Sequence, residues 1–161
     1  MKKKHIIIPL ILIIMDQLTK YLIVRSFNLY DKLVIINNFL NFEYVQNTGI
    51  SFGFFSGGRL IIIVASIFVI GFMIYELIKG NNNIHNFSCT LILSGAVGNL
   101  IDRIFRGYVV DFISFIIFNH KMAIFNIADT FVVSGVILYI ILMFVEGKKN
   151  ENNSSKWKWR K

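Results

Sequence analysis

Four long apolar stretches constrain this chain of 161 residues more than any other feature. They cover residues 5–24, 60–78, 87–104 and 124–145, and a transmembrane helix needs about 20 mostly apolar residues. Charged residues make up 16% of the chain, whereas soluble domains carry about 25%. The sequence therefore predicts a mainly α-helical membrane protein with four transmembrane helices in a single domain, 1–147.

Basic residues lie beyond both ends of this array of helices. Three lysines occupy positions 2–4, and residues 148–161 form a basic tail. Because lysine and arginine accumulate on the cytoplasmic side of membrane proteins, both termini are predicted to be cytoplasmic. The tail combines its cations with Trp157 and Trp159, which favours an anchor on anionic lipid over the alternative of nucleic-acid binding.

With this topology, two connecting segments lie on the outer face of the membrane. Residues 28–57 contain runs of β-branched and aromatic residues interrupted by Asn37 and Asn38, a pattern typical of short strands. The outer loop 106–122 contains an apolar stretch, 109–118, that is too short to span the membrane. We expect a small sheet on the outer surface and an interfacial or membrane-dipping segment beside it.

Two aspartates reach the same outer boundary. Asp111 lies in the outer loop, and Asp129 lies in the first turns of the fourth helix. An acid in or beside a membrane helix is costly and usually marks function. Two carboxylates a few ångströms apart share one proton, which suits peptide hydrolysis by a general base and a general acid. The alternatives are a solvated loop acid at Asp111 and an acid that favours a helix N-terminus at Asp129.

Polar residues near these aspartates are candidates for binding a substrate. Asn126 lies three residues before Asp129, where it either orients that acid or caps the fourth helix. Gly95, Asn99 and Arg103 share one stripe of the third helix, so the last two are directed toward the outer boundary. Close helix packing and an interfacial arginine are the alternative explanation of this stripe.

Two other short motifs have both a functional and a structural interpretation. Asp16 and Lys20 lie four residues apart in the first helix, so they pair on one face and support the site, unless both lie at the membrane interface. Asn47 and Gly49 belong to a turn that either presents backbone groups to an extended peptide or simply reverses the chain. The three histidines are scattered without metal-ligand spacing, so no metal site is predicted.

Five motifs occur in an order that resembles the bacterial lipoprotein signal peptidases, also called signal peptidase II. They are DQLTK at 16–20, NTGISF at 47–52, GNLIDR at 98–103, VVDF at 109–112 and FNIAD at 125–129. Small departures from the family pattern are Ile50 and Ser51, where two alanines are common, and Ser94, where a glycine is common.

The resemblance implies a four-helix membrane fold with an extracytoplasmic β-cradle and a metal-independent aspartyl endopeptidase without a cofactor. Asp111 and Asp129 match the catalytic pair. The remaining matches are substrate-binding or supporting positions: Asn47, Gly49, Asn99, Arg103, Asn126, Ala128, Asp16 and Lys20.

The resemblance also implies the reaction and its surroundings. The substrate is a prolipoprotein whose lipobox Cys carries diacylglycerol, and the cut falls just before that Cys. The enzyme is a monomer in the bacterial cell membrane with its active site at the extracytoplasmic face. Membrane lipids are partners, nucleic acid is not, and globomycin is expected to inhibit.

Two other function classes remain possible from the residues alone. A small four-helix proton-coupled transporter would make Asp16 essential and Asp111 and Asp129 expendable, and it would leave the outer-face motifs unexplained. A non-catalytic membrane scaffold would make no single acid important.

Overall fold

The computed structural model describes residues 4–49, 58–80 and 82–158. The helices are α1 Lys4–Ser26, α2 Arg59–Lys79, α3 Asn83–Phe105 and α4 Ile127–Lys158. The strands are β1 Lys32–Ile36, β2 Leu40–Asn47, β3 Val109–Ile117 and β4 His120–Lys121, which form one antiparallel sheet in that order. Each helix contains a stretch of 19 to 23 residues that is long and apolar enough to cross a membrane. This architecture confirms the predicted fold class of four helices with a small sheet.

Helix α3 lies at the centre of the bundle and packs against the other three helices. Half of its membrane-length stretch is buried, compared with 11–22% for the other three helices. Its hydroxyl side chains are satisfied within the helix: Thr90 donates to the Asn86 carbonyl and Ser94 donates to the Thr90 carbonyl. The least hydrophobic of the four spans is therefore the one that the rest of the protein covers most.

Small residues on α3 allow its neighbours to approach closely. A Cβ added at Gly95 would collide with the backbone oxygen of Ala128, and one added at Gly98 would lie 2.5 Å from Asp16 Oδ2. The packing interpretation of these glycines is therefore confirmed. The approach places α1 and α4 against the C-terminal half of α3, where the predicted site residues lie.

The sheet was only partly foreseen. Strands β1 and β2 lie within the predicted outer β region, of which residues 50–57, including Ile50 and Ser51, fall outside the described residues. The stretch 109–118 was expected at the interface or dipping into the membrane, with no strand predicted there; residues 109–117 of it form strand β3, which pairs with β2. Residues on both faces of its first half are buried, so the strand is mostly apolar and lacks the alternation of apolar and polar residues that marks a half-buried strand.

The link between β3 and α4 joins the sheet to the bundle. The backbone N–H groups of Phe112 and Ile113 donate to the carbonyl of Phe125, and the Phe125 N–H donates to the Ile113 carbonyl. Helix α4 consequently begins at Ile127, whereas the sequence suggested a span from 124, and it continues through the basic region as far as Lys158. The side chains of Val110 and Phe112 on β3 pack with Ile23 of α1.

Candidate active site

Asp111 lies on β3 with both carboxylate oxygens bound by neutral amides. Its Oδ1 accepts a hydrogen bond from Asn126 Nδ2 at 2.7 Å, and its Oδ2 accepts one from Asn47 Nδ2 at 2.8 Å. Asn47 is itself held by the Gly49 N–H, which donates to its Oδ1 at 3.0 Å. Asp111 is 3% exposed, so its interpretation as a solvated loop acid is wrong.

Asp129 lies in the first turn of α4, where its side chain contacts α3 and the start of its own helix. Its Oδ1 accepts a hydrogen bond from Asn99 Nδ2 at 2.7 Å. Asn126 and Asp129 also cap the helix reciprocally: the Asp129 N–H donates to Asn126 Oδ1, and the Asn126 N–H donates to Asp129 Oδ2. This exchange is a capping box built with Asn and Asp.

Asn126 connects the two carboxylates. Its fully buried amide donates to Asp111 Oδ1 and to Asn99 Oδ1, while its carbonyl oxygen accepts from the Asp129 backbone. Both roles considered for Asn126, capping the helix and orienting an acid, therefore coexist. Within 4–49, 58–80 and 82–158, neither Asp111 nor Asp129 forms an ion pair with a cation.

The surroundings of Asp111 favour its protonated form. Burial raises the pKa of Asp111 to about 7, and the negative charge of Asp129 contributes to the increase. Hydrogen bonds from Asn47 and Asn126 and the positive charge of Lys20 act in the opposite direction on this pKa but do not cancel it. The Asp111 carboxyl therefore holds a proton close to neutral pH.

A cavity of about 550 Å³ opens beside the two acids. Its polar lining consists largely of predicted site residues: Asn47, Gly49, Asn99, Arg103, Asp111 and Asp129. The rest of the lining, not foreseen from the sequence, is mainly apolar: Val109, Ala123, Ile124, Phe125, Thr130, Val132, Val133 and Ser134. A cavity with few polar groups in an apolar wall is typical of a binding site for a small or extended ligand.

Arg103 brings a cation to this cavity. Its Nη1 lies 3.4 Å from the Asn99 carbonyl, and no carboxylate among the described residues pairs with it. A guanidinium in this position is able to donate to a carbonyl oxygen of a bound ligand.

Four polar partners form a buried cluster behind the cavity. Lys20 Nζ lies 2.9 Å from Asp16 Oδ2 and 3.1 Å from Asp102 Oδ2, and it donates to Asn99 Oδ1 at 3.0 Å. The Asp16 and Lys20 side chains are fully buried, so the expected pair is confirmed. An acid held in this way is a poor proton carrier, which counts against the transporter alternative.

Ala128 belongs to the same supporting layer. Its buried backbone N–H donates to Asp16 Oδ1 at 3.0 Å, and its side chain packs near Gly98 without lining the cavity. Asp102 belongs to the motif GNLIDR at 98–103, but no function was predicted for it from the sequence. An acid near the end of the apolar stretch 87–104 was itself the sequence signal that could have drawn attention to Asp102.

Comparison with known proteins decides which family this site belongs to. A family model described as signal peptidase (SPase) II matches residues 8–145. The chain belongs to the signal peptidase II family. It is therefore a peptidase that removes signal peptides from prolipoproteins, and its four apolar helices make it a multi-pass membrane protein.

Full-length relatives and solved structures agree with this membership. Lipoprotein signal peptidases of Caldanaerobacter subterraneus and Bacillus pumilus are 40% and 37% identical to the chain, over 88% and 94% of it and 97% and 99% of their own lengths. Two bacterial membrane enzymes solved by the in meso method, at 2.3 and 1.9 Å, superpose with TM-scores of 0.85 and 0.80. They are 35% and 37% identical to the chain and cover 91% and 87% of it, with 90% and 92% of their own chains matched.

Proposed function

We propose that this signal peptidase is an aspartyl endopeptidase that cuts diacylglyceryl-modified prolipoproteins just before the lipidated Cys. One observation carries the proposal: Asp111 and Asp129 line one cavity and are connected by Asn126, in a chain of this family. Two carboxylates that share a proton supply both the base and the acid that peptide hydrolysis needs. The reaction uses neither a metal nor a cofactor.

The proton of the pair resides on Asp111 at the start of the reaction. The pKa of Asp111, raised to about 7 by burial and by the charge of Asp129, supports this assignment. Asp129 then accepts a proton from water as the water oxygen attacks the scissile carbonyl carbon, and Asp111 donates its proton to the carbonyl oxygen. As the tetrahedral intermediate collapses, its C–N bond breaks, Asp129 protonates the departing amine, and Asp111 recovers its proton.

The cavity lining supports binding of an extended peptide next to the membrane. Arg103 and the amide of Asn47 are positioned to donate to peptide carbonyl groups, while the apolar wall accommodates side chains near the cleavage site. The acyl chains of the substrate remain in the lipid beside α3 and α4. Globomycin inhibits by occupying this cavity, and membrane lipids surround the monomeric enzyme.

The topology completes the proposal. Both termini lie in the cytoplasm of the bacterial cell, with residues 148–161 as a basic cytoplasmic tail. The cavity then lies at the extracytoplasmic face, where the diacylglyceryl-modified Cys of a secreted precursor arrives.

Cleavage of a purified diacylglyceryl-modified prolipoprotein tests the mechanism. We expect wild type to release a signal peptide whose mass places the cut just before the lipidated Cys, with the rate unchanged by EDTA. Asp111→Asn and Asp129→Asn should each lose at least about 10³-fold in kcat, because each removes a proton-transfer group from the reaction. Asp31→Asn, which changes an exposed aspartate outside the cavity, is the matched control and should retain the wild-type rate.

Near-normal activity in either dyad variant would refute the two-aspartate mechanism while leaving the family membership intact. A cut at another peptide bond would refute the proposed specificity instead. Each variant must show wild-type helicity and elution in detergent before its rate is interpreted.

A further inference from the structure

Asp102 is a fully buried acid near the end of α3, outside the cavity, and four donors surround its carboxylate. Its Oδ2 lies 3.1 Å from Lys20 Nζ and accepts the backbone N–H of Val110 at 3.2 Å. Its Oδ1 accepts from Gln17 Nε2 at 3.3 Å and from the guanidinium of Arg106. An ionised carboxylate has about four acceptor sites, so these four donors occupy all the acceptor sites of the Asp102 carboxylate.

The backbone groups held by the two supporting acids have a common position in the sequence. Asp102 accepts the N–H of Val110, the residue immediately before Asp111. Asp16 accepts the N–H of Ala128, the residue immediately before Asp129. One buried carboxylate therefore holds the backbone N–H of the residue that precedes each member of the proposed catalytic pair.

Lys20 connects these two attachments. Its ammonium group has three N–H donors, and three acceptors lie within 3.1 Å: Asp16, Asp102 and Asn99. Asn99 in turn donates to Asp129 Oδ1. A displacement of Asp102 is thus transmitted to β3 through Val110 and to α4 through Lys20.

We infer that Asp102 is a positioning residue for the proposed hydrolysis, which fixes Asp111 through the Val110 amide and couples it to Asp129 through Lys20. This inference rests on the proposed function, since it assigns Asp102 an effect on the geometry of that catalytic pair. Displacement of a reacting group by about 1 Å is enough to cost about 10²-fold in rate.

The variant Asp102→Asn tests the inference with almost no change in side-chain volume. An amide has one acceptor oxygen, so it cannot satisfy the donors on both sides that Asp102 now serves. We expect kcat for the diacylglyceryl-modified prolipoprotein to fall by about 10²-fold, with little change in KM, since Asp102 does not line the cavity. Glu43→Gln is the control, because Glu43 pairs with Lys121 on the sheet and also lies outside the cavity.

Removing a single backbone donor provides a second test that does not depend on how Asp102→Asn folds. Replacement of Val110 by its α-hydroxy acid changes the amide to an ester and deletes the N–H that Asp102 accepts. The same replacement at Ile116, whose N–H donates to the Phe39 carbonyl at 2.8 Å, removes a comparable bond from the same strand. We expect kcat to fall for the ester at 110 and to stay at the wild-type value for the ester at 116.

Wild-type kcat for the ester at 110 would overturn the inference, as would equal losses for the two esters, which would indicate general support of the strand. Asp111→Asn and Asp129→Asn are assayed in parallel. If those two variants are active, the proposed function fails; if they are inactive while the ester at 110 is fully active, the positioning role of Asp102 alone fails.

Discussion

Two pairs of aspartates lie in and beside the bundle, and the pairs differ in their partners. Three of the four side chains are buried, and Asp129 is half-buried. Asp16 and Asp102 both contact the cation Lys20, whose Nζ lies 2.9 Å from Asp16 Oδ2 and 3.1 Å from Asp102 Oδ2. Asp111 and Asp129 instead accept hydrogen bonds from the neutral amides of three asparagines. The same residue type thus occurs in two chemically different environments a short distance apart.

The difference explains why one pair suits structural support and the other suits proton transfer. A buried carboxylate beside a cation has its charge compensated and its position fixed. Amide donors also fix position, but their hydrogen bonds and the more distant charge of Lys20 do not cancel the effect of burial and of Asp129, and the pKa of Asp111 rises to about 7. The comparison teaches that partner type, rather than burial alone, distinguishes the acids proposed to support the site from those proposed to react.

Removal of the shared cation should have the largest effect on folding. Lys20→Met leaves Asp16 and Asp102 without the cation that lies between them. Loss of one partner from a buried ion pair costs about 3–5 kcal/mol, so we expect a decrease of that size in the free energy of unfolding in mixed detergent micelles. Lys121→Met, at a lysine that is 52% exposed in its ion pair, is the control and should cost less than about 1 kcal/mol. Equal effects of the two variants would show that burial does not distinguish them.

The pH dependence of stability should distinguish the amide-bound pair. The folded-state pKa of Asp111 is about 7, above its ordinary value of 3.8, so the native state binds the proton more tightly than the unfolded state. The stability from this group is fully present below about pH 4 and is lost as the pH rises to about 7, a loss of the order of a few kcal/mol. Asp111→Asn should remove this part of the dependence of the free energy of unfolding on pH.

Unfolding of wild type and Asp111→Asn at pH 4.5 and pH 7.5 provides the measurement, and Asp31→Asn, at an exposed position, is the control that should keep the wild-type slope. Parallel slopes for wild type and Asp111→Asn would contradict the raised pKa. Such a result would place Asp111 in the same class as the cation-paired acids.

The sequence predicted much of this arrangement where the determining contacts are local. Helix length and hydropathy predicted the four spans, and the spacing of Asp16 and Lys20 predicted their pair. The approach of Asp111 to Asp129 followed from topology, because both were placed at the same end of the bundle. Local pattern and membrane topology are sufficient for features of this kind.

Features that depend on contacts between distant elements were not predictable in the same way. Strand β3 escaped detection because both faces of its first half are buried, so its sequence shows no alternation. The attachment of Asp102 to Lys20 and to the Val110 N–H depends on how α1, α3 and β3 pack. The apolar wall of the cavity likewise combines residues 123–125 with one face of α4.

A change of shape without a change of charge should disturb the cation-paired acids least. A Cβ at Gly98 would lie 2.5 Å from Asp16 Oδ2, so Gly98→Ala must shift Asp16 against Lys20. Overpacking of this kind costs about 1–3 kcal/mol, so we expect the free energy of unfolding to fall by that amount. We also expect slower cleavage, because the Ala128 N–H donates to Asp16 and would be displaced together with it. Gly71→Ala is the matched control, because a Cβ at Gly71 meets no atom within 4 Å, and alanine favours a helix by about 1 kcal/mol. If Gly98→Ala were as stable as Gly71→Ala, Asp16 would have room to move, and the position of the supporting acids would be less tightly determined than their charge.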